Sequence, residues 1–323
     1  MIWLIGAGNM ARDYIDVLTE LDKRFIVIGR SEANSQKLAS EKSVEVISGG
    51  LNAFLEKQPT NCDEVIVAVD VDDLYEVTVS LINYGVKKVL LEKPGGINFE
   101  QIALLNNLAN ERGVDVYIAY NRRYFVAVKE ALKLIEADGG LESFHFEFTE
   151  WADEIASLPK SEQCKKHWLM ANSSHVIDMA FFIGGFPQSM TSISSGADQL
   201  DWHPSSSKFT GTGISDNDVL FTYCANWNAP GRWSLEFMTP KNRYIFRPME
   251  KLAIQKRNSV AQDFVDLDYS KENTLKPGLY DQVDDFLQKL PSKSLLRLAQ
   301  HREKEALYNT ISRGGSFREL EGL

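Results

Sequence analysis

The sequence has no run of about 18 apolar residues, the length that a membrane-spanning helix needs. It has no block of basic residues, and its formal net charge is −10, so it lacks the charge pattern of proteins that bind nucleic acid. The first residues lack the basic segment and cleavage site of a secretory signal peptide. There are 3 cysteines, far apart in sequence, and no Cys/His cluster has metal-ligand spacing. We therefore expect a cytoplasmic protein with reduced thiols, no bound metal, and neither a membrane nor nucleic acid as partner.

What is present is the composition of an ordinary globular protein, with 44% hydrophobic and 25% charged residues. A chain of 323 residues is long enough for two domains, since one domain takes about 100–200 residues. Up to residue 119, apolar strands alternate with helical segments, which predicts an α/β fold with a doubly wound parallel sheet.

A glycine-rich turn follows the first predicted strand, Ile2–Ile5. Apolar residues at helical spacing continue from this turn to residue 21. Strand, glycine turn and helix in this order form the fingerprint of a dinucleotide-binding site. The first glycine permits a tight turn, the second lets the backbone approach a pyrophosphate, and the helix N-terminus attracts the phosphates. The predicted cofactor-binding residues of the turn are Gly6, Ala7, Gly8, Asn9 and Met10.

The second predicted strand, 25–28, ends in Gly29-Arg30-Ser31. Sites for NAD usually carry Asp or Glu here, which binds the ribose 2′-hydroxyl. A guanidinium and a hydroxyl in place of that acid suit a 2′-phosphate, because arginine pairs with phosphate through two parallel hydrogen bonds. The motif predicts NADP as the cofactor, with NAD as the second option. The alternative is structural, with Arg30 at the start of a solvated helix.

A buried strand predicted at 88–91 runs into Glu92, Lys93, Pro94 and two glycines. Proline and glycine end the strand, so Glu92 and Lys93 lie at its carboxyl end, where open α/β sheets bind their ligands. Val69 ends the preceding strand at the same edge. A lysine in this place is either a solvated charge or a titratable group held against a substrate.

The next strand, 114–119, is followed by the polar cluster Tyr120-Asn121-Arg122-Arg123-Tyr124. Two arginines and an asparagine can hold a hydroxylated or anionic substrate. They can equally form a salt-bridged hinge between domains, and the residues alone favour neither reading.

From residue 125 onward the chain reads differently. A helix to about residue 137 is followed by strand candidates at 144–149, 190–194, 218–225, 232–239, 243–248 and 251–255. The later strands are joined by turns without helices between them, which predicts an antiparallel sheet. Two helices, 280–290 and 296–311, close the chain.

A polar segment with two histidines lies between the first two of these strands, at 166–185. Ser173 or Ser174 can cap a helix that carries His175, Asp178 and Phe182 on one face. A lone histidine on such a helix is more often a hydrogen-bonded core residue, but Asn172 and Asp178 beside it favour a site. The tryptophans of this half can stack on a sugar ring, although most are expected in the core or at a subunit interface: Trp151, Trp168, Trp202, Trp227 and Trp233.

Taken together, these motifs resemble the glucose–fructose oxidoreductase / inositol dehydrogenase (Gfo/Idh/MocA) family. The matching pieces are the glycine turn, Glu92-Lys93-Pro94, the cluster at 120–124, and the helix with His175 and Asp178. The resemblance implies a Rossmann domain, 1–120, and an α+β domain for substrate and oligomer contacts, 121–323. The second domain would hold a large antiparallel sheet open on one side, and the last helices are expected to pack back on the first domain.

The resemblance also implies a function. It assigns Lys93 and His175 as the catalytic pair beside the reacting carbon, a nicotinamide cofactor near Glu92 and Val69, and a homodimer or homotetramer. The implied activity is an NADP(H)-dependent oxidoreductase that interconverts a secondary alcohol and a ketone on a sugar, polyol or nucleotide-sugar derivative. Substrate-binding roles fall to Asn121, Arg122, Tyr124, Trp168, Asn172 and Asp178.

One departure from the family pattern bears on this reading. The acid usually found four residues before the helix histidine is Ala171 here, and Asn172 stands next to it. An asparagine can orient a hydroxyl but cannot take its proton. The alternative function is therefore a non-catalytic dinucleotide-sensing regulator on the same fold. A third option is another reaction of the same site, such as redox-assisted elimination or racemisation.

Overall fold

The computed structural model describes residues 1–60 and 62–318. Within them the strands, in chain order, are β1 (Ile2–Ile5), β2 (Phe25–Ile28), β3 (Val46–Ile47), β4 (Glu64–Val67), β5 (Lys88–Glu92), β6 (Asp115–Ala119), β7 (Ser143–Glu147), β8 (Pro187–Ser195), β9 (Lys208–Ser215), β10 (Leu220–Asn226), β11 (Ser234–Met238), β12 (Asn242–Phe246), β13 (Ala253–Lys256), β14 (Asp263–Phe264), β15 (Leu296–Arg297) and β16 (Gly315–Arg318).

The α-helices over the same residues, in chain order, are α1 (Asn9–Glu20), α2 (Glu32–Lys42), α3 (Gly50–Glu56), α4 (Leu74–Tyr84), α5 (Phe99–Arg112), α6 (Val126–Asp138), α7 (Ala152–Ser157), α8 (Glu162–Lys166), α9 (Ser174–Gly184), α10 (Ser270–Thr274), α11 (Leu279–Leu287), α12 (Leu298–Arg302) and α13 (Glu305–Arg313). Short 3₁₀ segments, Val71–Asp73 and Asn121–Tyr124, and a π-helical turn, Leu169–Ser173, complete the helical structure. Over the described residues no helix is long and apolar enough to cross a membrane.

The chain divides into two compact units. The first unit comprises Met1–Tyr124 and Ser270–Glu303, and the second comprises Phe125–Tyr269 and the chain from Lys304 onward. The assignment of cofactor binding to residues 1–120 and of substrate binding to residues 121–323 stays a prediction.

The first unit is built on a seven-stranded sheet with the order β15-β6-β5-β4-β1-β2-β3. Strands β1 to β6 run parallel to their neighbours, and β15 pairs antiparallel with β6. The strand order reverses at β1, which has β2 on one side and β4 on the other, and such a reversal opens a crevice at the strands' carboxyl ends. The predicted doubly wound parallel sheet is confirmed.

The core of the first unit includes residues from the far end of the chain. Tyr14 and Leu18 of α1 are fully buried, and Val283 and Phe286 of α11 join the same hydrophobic cluster. Burial of the apolar side chains of Leu18, Val283 and Phe286 contributes roughly 1.5–3 kcal/mol each. Segment 270–303 is therefore part of the first unit's core.

The second unit is built on a nine-stranded sheet with the order β14-β13-β12-β11-β7-β10-β9-β8-β16. Its pairs are antiparallel except for β7 with β10, which are parallel. One face carries aromatic rings, and Phe181 of α9 makes edge-on contacts with Phe144, Phe146 and Phe221. This mostly antiparallel sheet confirms the fold class expected for the second half.

Residues 296–311, expected as one helix, instead form β15, α12 and α13, which are divided between the two units. The expectation was wrong because Arg297 has extended backbone, with φ −73° and ψ 147°, and ends the strand that pairs with β6. Its backbone N–H donates to Gln300 Oε1 at 3.1 Å, which starts α12 at that point.

The sequence expectation also omits β9. Its two glycines lower strand propensity, so the segment does not resemble a strand in sequence. In the folded sheet these glycines leave room for neighbouring rings. A Cβ on Gly211 would lie 2.5 Å from the ring of Tyr223, and one on Gly213 would lie 2.6 Å from the ring of Phe221.

Candidate active site

The glycine turn between β1 and α1 is open toward a ligand. Gly6 has φ +125°, and a Cβ there would lie 2.2 Å from the carbonyl oxygen of Ala68, so only glycine fits. A Cβ on Gly8 would meet nothing within 4 Å. Helix α1 has no side-chain cap and no acidic residue in its first turn. Its free N–H groups and the helix dipole therefore favour an anionic group such as a pyrophosphate.

A cavity of about 450 Å³ extends from this turn. Six of the predicted cofactor residues line it, namely Gly6, Ala7, Gly8, Arg30, Ser31 and Val69. Asn9 and Met10 form the first turn of α1, where Met10 packs against the core. The volume lies within the roughly 300–1,000 Å³ of small-molecule and cofactor sites.

Arg30 is paired at the rim of this cavity. Its Nη1 donates to Asp73 Oδ2 at 3.0 Å, with side-chain exposures of 79% and 38%. The Ser31 hydroxyl accepts from the backbone N–H of Asn34 and so caps α2. Asp73, which the sequence reading did not select, therefore belongs to the cavity that Arg30 lines.

The segment after β5 is held from two sides. Glu92 is 8% exposed and accepts a 2.7 Å hydrogen bond from the hydroxyl of Tyr14. Burial raises the pKa of Glu92, while the Tyr14 hydrogen bond and the nearby Lys93 charge lower it. Buried His301 lies with Nε2 3.0 Å from the carbonyl oxygen of Pro94. Lys93, half-buried, thus stands between two fixed neighbours.

The polar cluster at 120–124 is engaged largely within the first unit. Asn121 Nδ2 donates to the carbonyl oxygen of Pro277 at 2.9 Å. The hydroxyl of Tyr124 donates to Asp285 Oδ2 at 2.6 Å, and burial raises its pKa well above the usual value. These contacts fit a structural role for Asn121 and Tyr124, while Arg122 is half-buried.

In the second unit a buried carboxylate organises the start of α9. Glu150, 2% exposed, accepts from Asn172 Nδ2 at 3.0 Å and from Ser173 Oγ at 2.7 Å. Burial raises the pKa of Glu150, and the two hydrogen bonds and the Arg232 charge oppose that rise. The predicted cap is not formed, because the Ser173 hydroxyl is bound to Glu150 instead of the helix backbone. A π-helical turn precedes the helix here, as occurs often at functional sites.

The other predicted residues of this region surround α9. The ring of His175 lies 6.3 Å from that of Trp233. Asp178, one turn along the helix, is 2% exposed and accepts from Lys304 Nζ at 2.7 Å. Trp168 is only 7% exposed, so it occupies a core position, and its ring packs edge-on against that of Trp202.

The structure therefore brings the predicted residues together in two groups. Six predicted cofactor residues share one cavity of the first unit: Gly6, Ala7, Gly8, Arg30, Ser31 and Val69. Asn172, His175 and Asp178 share one helical segment of the second unit. Lys93 and His175 belong to different units. Glu150, Asp73 and His301 escaped the sequence reading. For Glu150 a signal existed: an acid directly after the half-buried strand predicted at 144–149 and directly before a tryptophan.

The strand, the glycine turn and the open helix N-terminus at the point of strand-order reversal define a dinucleotide-binding Rossmann unit. Residues 1–120 match the model of the Gfo/Idh/MocA oxidoreductase family, NAD-binding Rossmann fold. The resemblance seen in the motifs is thereby confirmed.

Individual relatives extend this picture. The scyllo-inositol 2-dehydrogenase (NADP(+)) of Bacillus subtilis (strain 168) is 31% identical over 124 residues, which is 36% of this chain and 33% of that enzyme. The chain thus matches about a third of that relative's length.

Two solved structures align over nearly the whole chain. An NAD-binding oxidoreductase from Klebsiella pneumoniae has a TM-score of 0.76 at 18% identity and covers 99% of both chains. UDP-N-acetylglucosamine 3-dehydrogenase from Acidithiobacillus ferrooxidans has a TM-score of 0.71 at 17% identity, over 96% of this chain and 95% of that one. At these identities the likeness shows the fold.

Proposed function

We propose that this protein is an NADP(H)-dependent oxidoreductase that interconverts a secondary alcohol and a ketone on a sugar, polyol or nucleotide-sugar derivative. The observation that carries the proposal is the cavity at Gly6, Ala7 and Gly8, with the uncapped N-terminus of α1 at one end. The substrate class is supported by the names of the relatives, which are dehydrogenases of an inositol and of a nucleotide sugar.

The preference for NADP rests on Arg30 and Ser31 at the end of β2. Arg30 is bound to Asp73 in an exposed pair, and such pairs are worth about 0–1 kcal/mol. A 2′-phosphate can therefore displace the Asp73 carboxylate and form charge-assisted hydrogen bonds with the guanidinium. NAD remains the second option, because Asp73 can accept a hydrogen bond from a ribose hydroxyl.

When bound, a nicotinamide cofactor accepts or supplies the hydride, and the protein contributes binding, orientation and proton transfer. In this proposal Lys93 exchanges the proton of the substrate hydroxyl as a general acid–base. His175 hydrogen-bonds the same oxygen, and Asn172, anchored by Glu150, orients a neighbouring hydroxyl. Asp178, bound to Lys304, holds the helix that carries His175.

The test measures binding before turnover. We expect NADPH to quench protein fluorescence at roughly tenfold lower concentration than NADH, since hydrogen bonds to charged groups contribute about 1.5–3 kcal/mol. Arg30→Ala should reduce the difference in affinity between NADPH and NADH. Asp73→Asn, which removes the carboxylate that Arg30 binds, should increase this difference. Equal affinities in the unaltered protein would refute the NADP preference.

Turnover is then tested with NADP⁺ and a panel of inositols, sugars and nucleotide sugars, read at the nicotinamide absorbance band. Reduction of NADP⁺ by at least one of them is the expected result. Tight NADPH binding without turnover of any, together with a small molecule that changes affinity for a partner, would favour the dinucleotide-sensing regulator instead. The predicted cytoplasmic location stays a prediction.

We also propose that the protein is a homodimer or homotetramer. The face of the second sheet opposite Phe181 carries two large exposed apolar side chains, Ile193 at 65% and Leu220 at 61%. Large apolar side chains left exposed on one face of a sheet suit a surface that a second copy of the chain covers. Light scattering should give a mass of two or four times 36.5 kDa, and Ile193→Asp should lower it. A monomer at micromolar concentration would contradict the assembly.

A further inference from the structure

Arg232, which directly precedes Trp233 and β11, is held between two tryptophan rings. Its guanidinium carbon lies 4.4 Å from the ring centre of Trp151 and 4.6 Å from that of Trp233. Trp151 is itself fixed, since its indole N–H donates to the carbonyl oxygen of Gly231 at 3.0 Å. A guanidinium stacked on aromatic faces keeps its plane and its charge, and the donors at its edge stay free to bind other groups.

Those donors make no hydrogen bond to any residue that the structure describes. The nearest carboxylate oxygen is Glu150 Oε2 at 3.7 Å, too far for a hydrogen bond. Glu150 accepts its hydrogen bonds from Asn172 and Ser173, and Arg232 faces this carboxylate only as a charge at 3.7 Å. Across residues 1–60 and 62–318, the Arg232 guanidinium makes no hydrogen bond to the protein, yet its side chain is only 45% exposed. An arginine has five N–H donors in a fixed fork.

The stack adjoins the histidine that the proposed function uses, because the Trp233 ring lies 6.3 Å from the ring of His175. Arg243 shows what an ordinary surface arginine of this unit looks like. Its side chain is also 45% exposed and lies 3.6 Å from a carboxylate, that of Glu236. That guanidinium stacks on no ring of the described residues. The difference lies in the two tryptophans, which orient Arg232.

We propose that Arg232 binds an anionic group of the substrate, a carboxylate or a phosphate, through the free edge of its guanidinium. This inference rests on the proposed oxidoreductase function and narrows its substrate class to sugars that carry a negative charge. Exposed Trp151 would offer its remaining face to the sugar ring. The carboxylate of buried Glu150 lies on one side of the guanidinium and repels an anion. The anion is therefore expected on the other side, which is exposed to solvent.

Isothermal titration calorimetry tests this with three probes: D-glucuronate for a carboxylate, D-glucose 6-phosphate for a phosphate, and D-glucose as the neutral control. The protein is saturated with NADPH, so that no probe can enter the cofactor cavity. We expect one anionic probe to bind at least about tenfold tighter than glucose, and which one it is identifies the anion.

Arg232→Met should lower the affinity for the anionic probe by about 10- to 100-fold and change the affinity for glucose by less than about threefold. Arg232→Lys keeps the charge but loses the planar fork, so its affinity for the anionic probe should lie between those of the unaltered protein and Arg232→Met. Arg243→Met is the matched control and should change nothing. Thermal unfolding of each variant checks that it folds. If Arg232→Met does not fold, Arg232→Lys still tests whether the guanidinium binds the anion.

Equal affinity for all three probes, no binding of either anion, or the same loss in Arg243→Met would overturn the proposal. Calorimetry records no turnover, so the outcome is separate from that of the proposed function. If Arg232→Met loses anion binding but the unaltered protein oxidises no sugar, the anion-binding site is supported and the proposed oxidoreductase function is refuted.

Discussion

The two units prepare for a ligand in different ways. The first does so with backbone: at Gly6 and Gly8 the side chain is missing, and the ligand would meet the N–H groups of α1. The second does so with side chains that bind one another, as Glu150 binds Asn172 and Ser173. A backbone site depends on a few adjacent residues, whereas a side-chain site depends on residues distant in sequence. Each kind should therefore fail differently when it is altered.

The largest effect is expected at Lys93. Lys93→Met keeps much of the side chain's volume and removes its titratable amine, so kcat should fall by about 10²–10⁴-fold. The dissociation constant of NADPH, which depends on the glycine turn, should stay within about twofold. His175→Asn keeps a hydrogen-bonding group but cannot exchange a proton, and we expect a smaller loss with a changed pH profile. Normal turnover of Lys93→Met would mean that its charge is merely solvated.

The next largest effect concerns the buried pair of the second unit. Asp178→Asn leaves Lys304, 9% exposed, without its carboxylate, and removal of one partner of a buried pair lowers the free energy of unfolding by about 3–5 kcal/mol. Asp16→Asn is the counterpart in the first unit, where the pair with Lys42 is partly exposed, and we expect a loss below about 1 kcal/mol. Urea unfolding measures both. Similar losses would show that burial does not separate the two pairs.

Within the first unit, the two glycines of the turn should separate stability from binding. Gly6→Ala forces a strained backbone and a contact with the Ala68 carbonyl, so we expect a loss of about 1–3 kcal/mol in unfolding free energy. Gly8→Ala has room for its methyl group and should unfold nearly as before. That methyl group faces open space on the ligand side, so NADPH binding should weaken. Unchanged affinity in Gly8→Ala would place the cofactor elsewhere.

The smallest effect is a pH dependence that the two units share. Burial raises the pKa of Glu150 in one unit and of Glu92 in the other. Between the ordinary and the raised pKa, the folded protein holds a proton that the unfolded chain has released. The free energy of unfolding therefore falls as pH rises through that window, by up to about 1.4 kcal/mol per pH unit for one group.

Glu150→Gln and Glu92→Gln should each remove their part of this slope, measured as urea midpoints at a series of pH values. Because Gln cannot ionise, each variant should gain stability relative to the unaltered protein as pH rises. A slope that stays the same in both variants would assign the pH dependence to other groups.

The two units also differ in how much of each could be predicted from the sequence. The glycine turn, the parallel strands and the strand-end Lys93 are local patterns, and the parallel part of the first sheet could be predicted from them, whereas its antiparallel strand β15 was not. Glu150 and Ser173 are 23 residues apart and Asp178 and Lys304 are 126 apart, so only folding brings their side chains together. The same applies to Arg30 and Asp73. Strand β9 was hidden for another reason, because its glycines are explained only by the rings that cover them.

The return of residues 270–303 to the first unit has a consequence for how the protein is made. The ribosome delivers Tyr14 and Leu18 early, but Val283 and Phe286, which complete the same core, emerge only after the whole of 125–269 has been synthesised. Strand β6 likewise waits for β15 as its outer neighbour. The nascent N-terminal half therefore carries an open hydrophobic surface for nearly 150 residues of translation, which is about 8–30 s at 5–20 residues per second. In that interval a chaperone has its clearest opportunity to act.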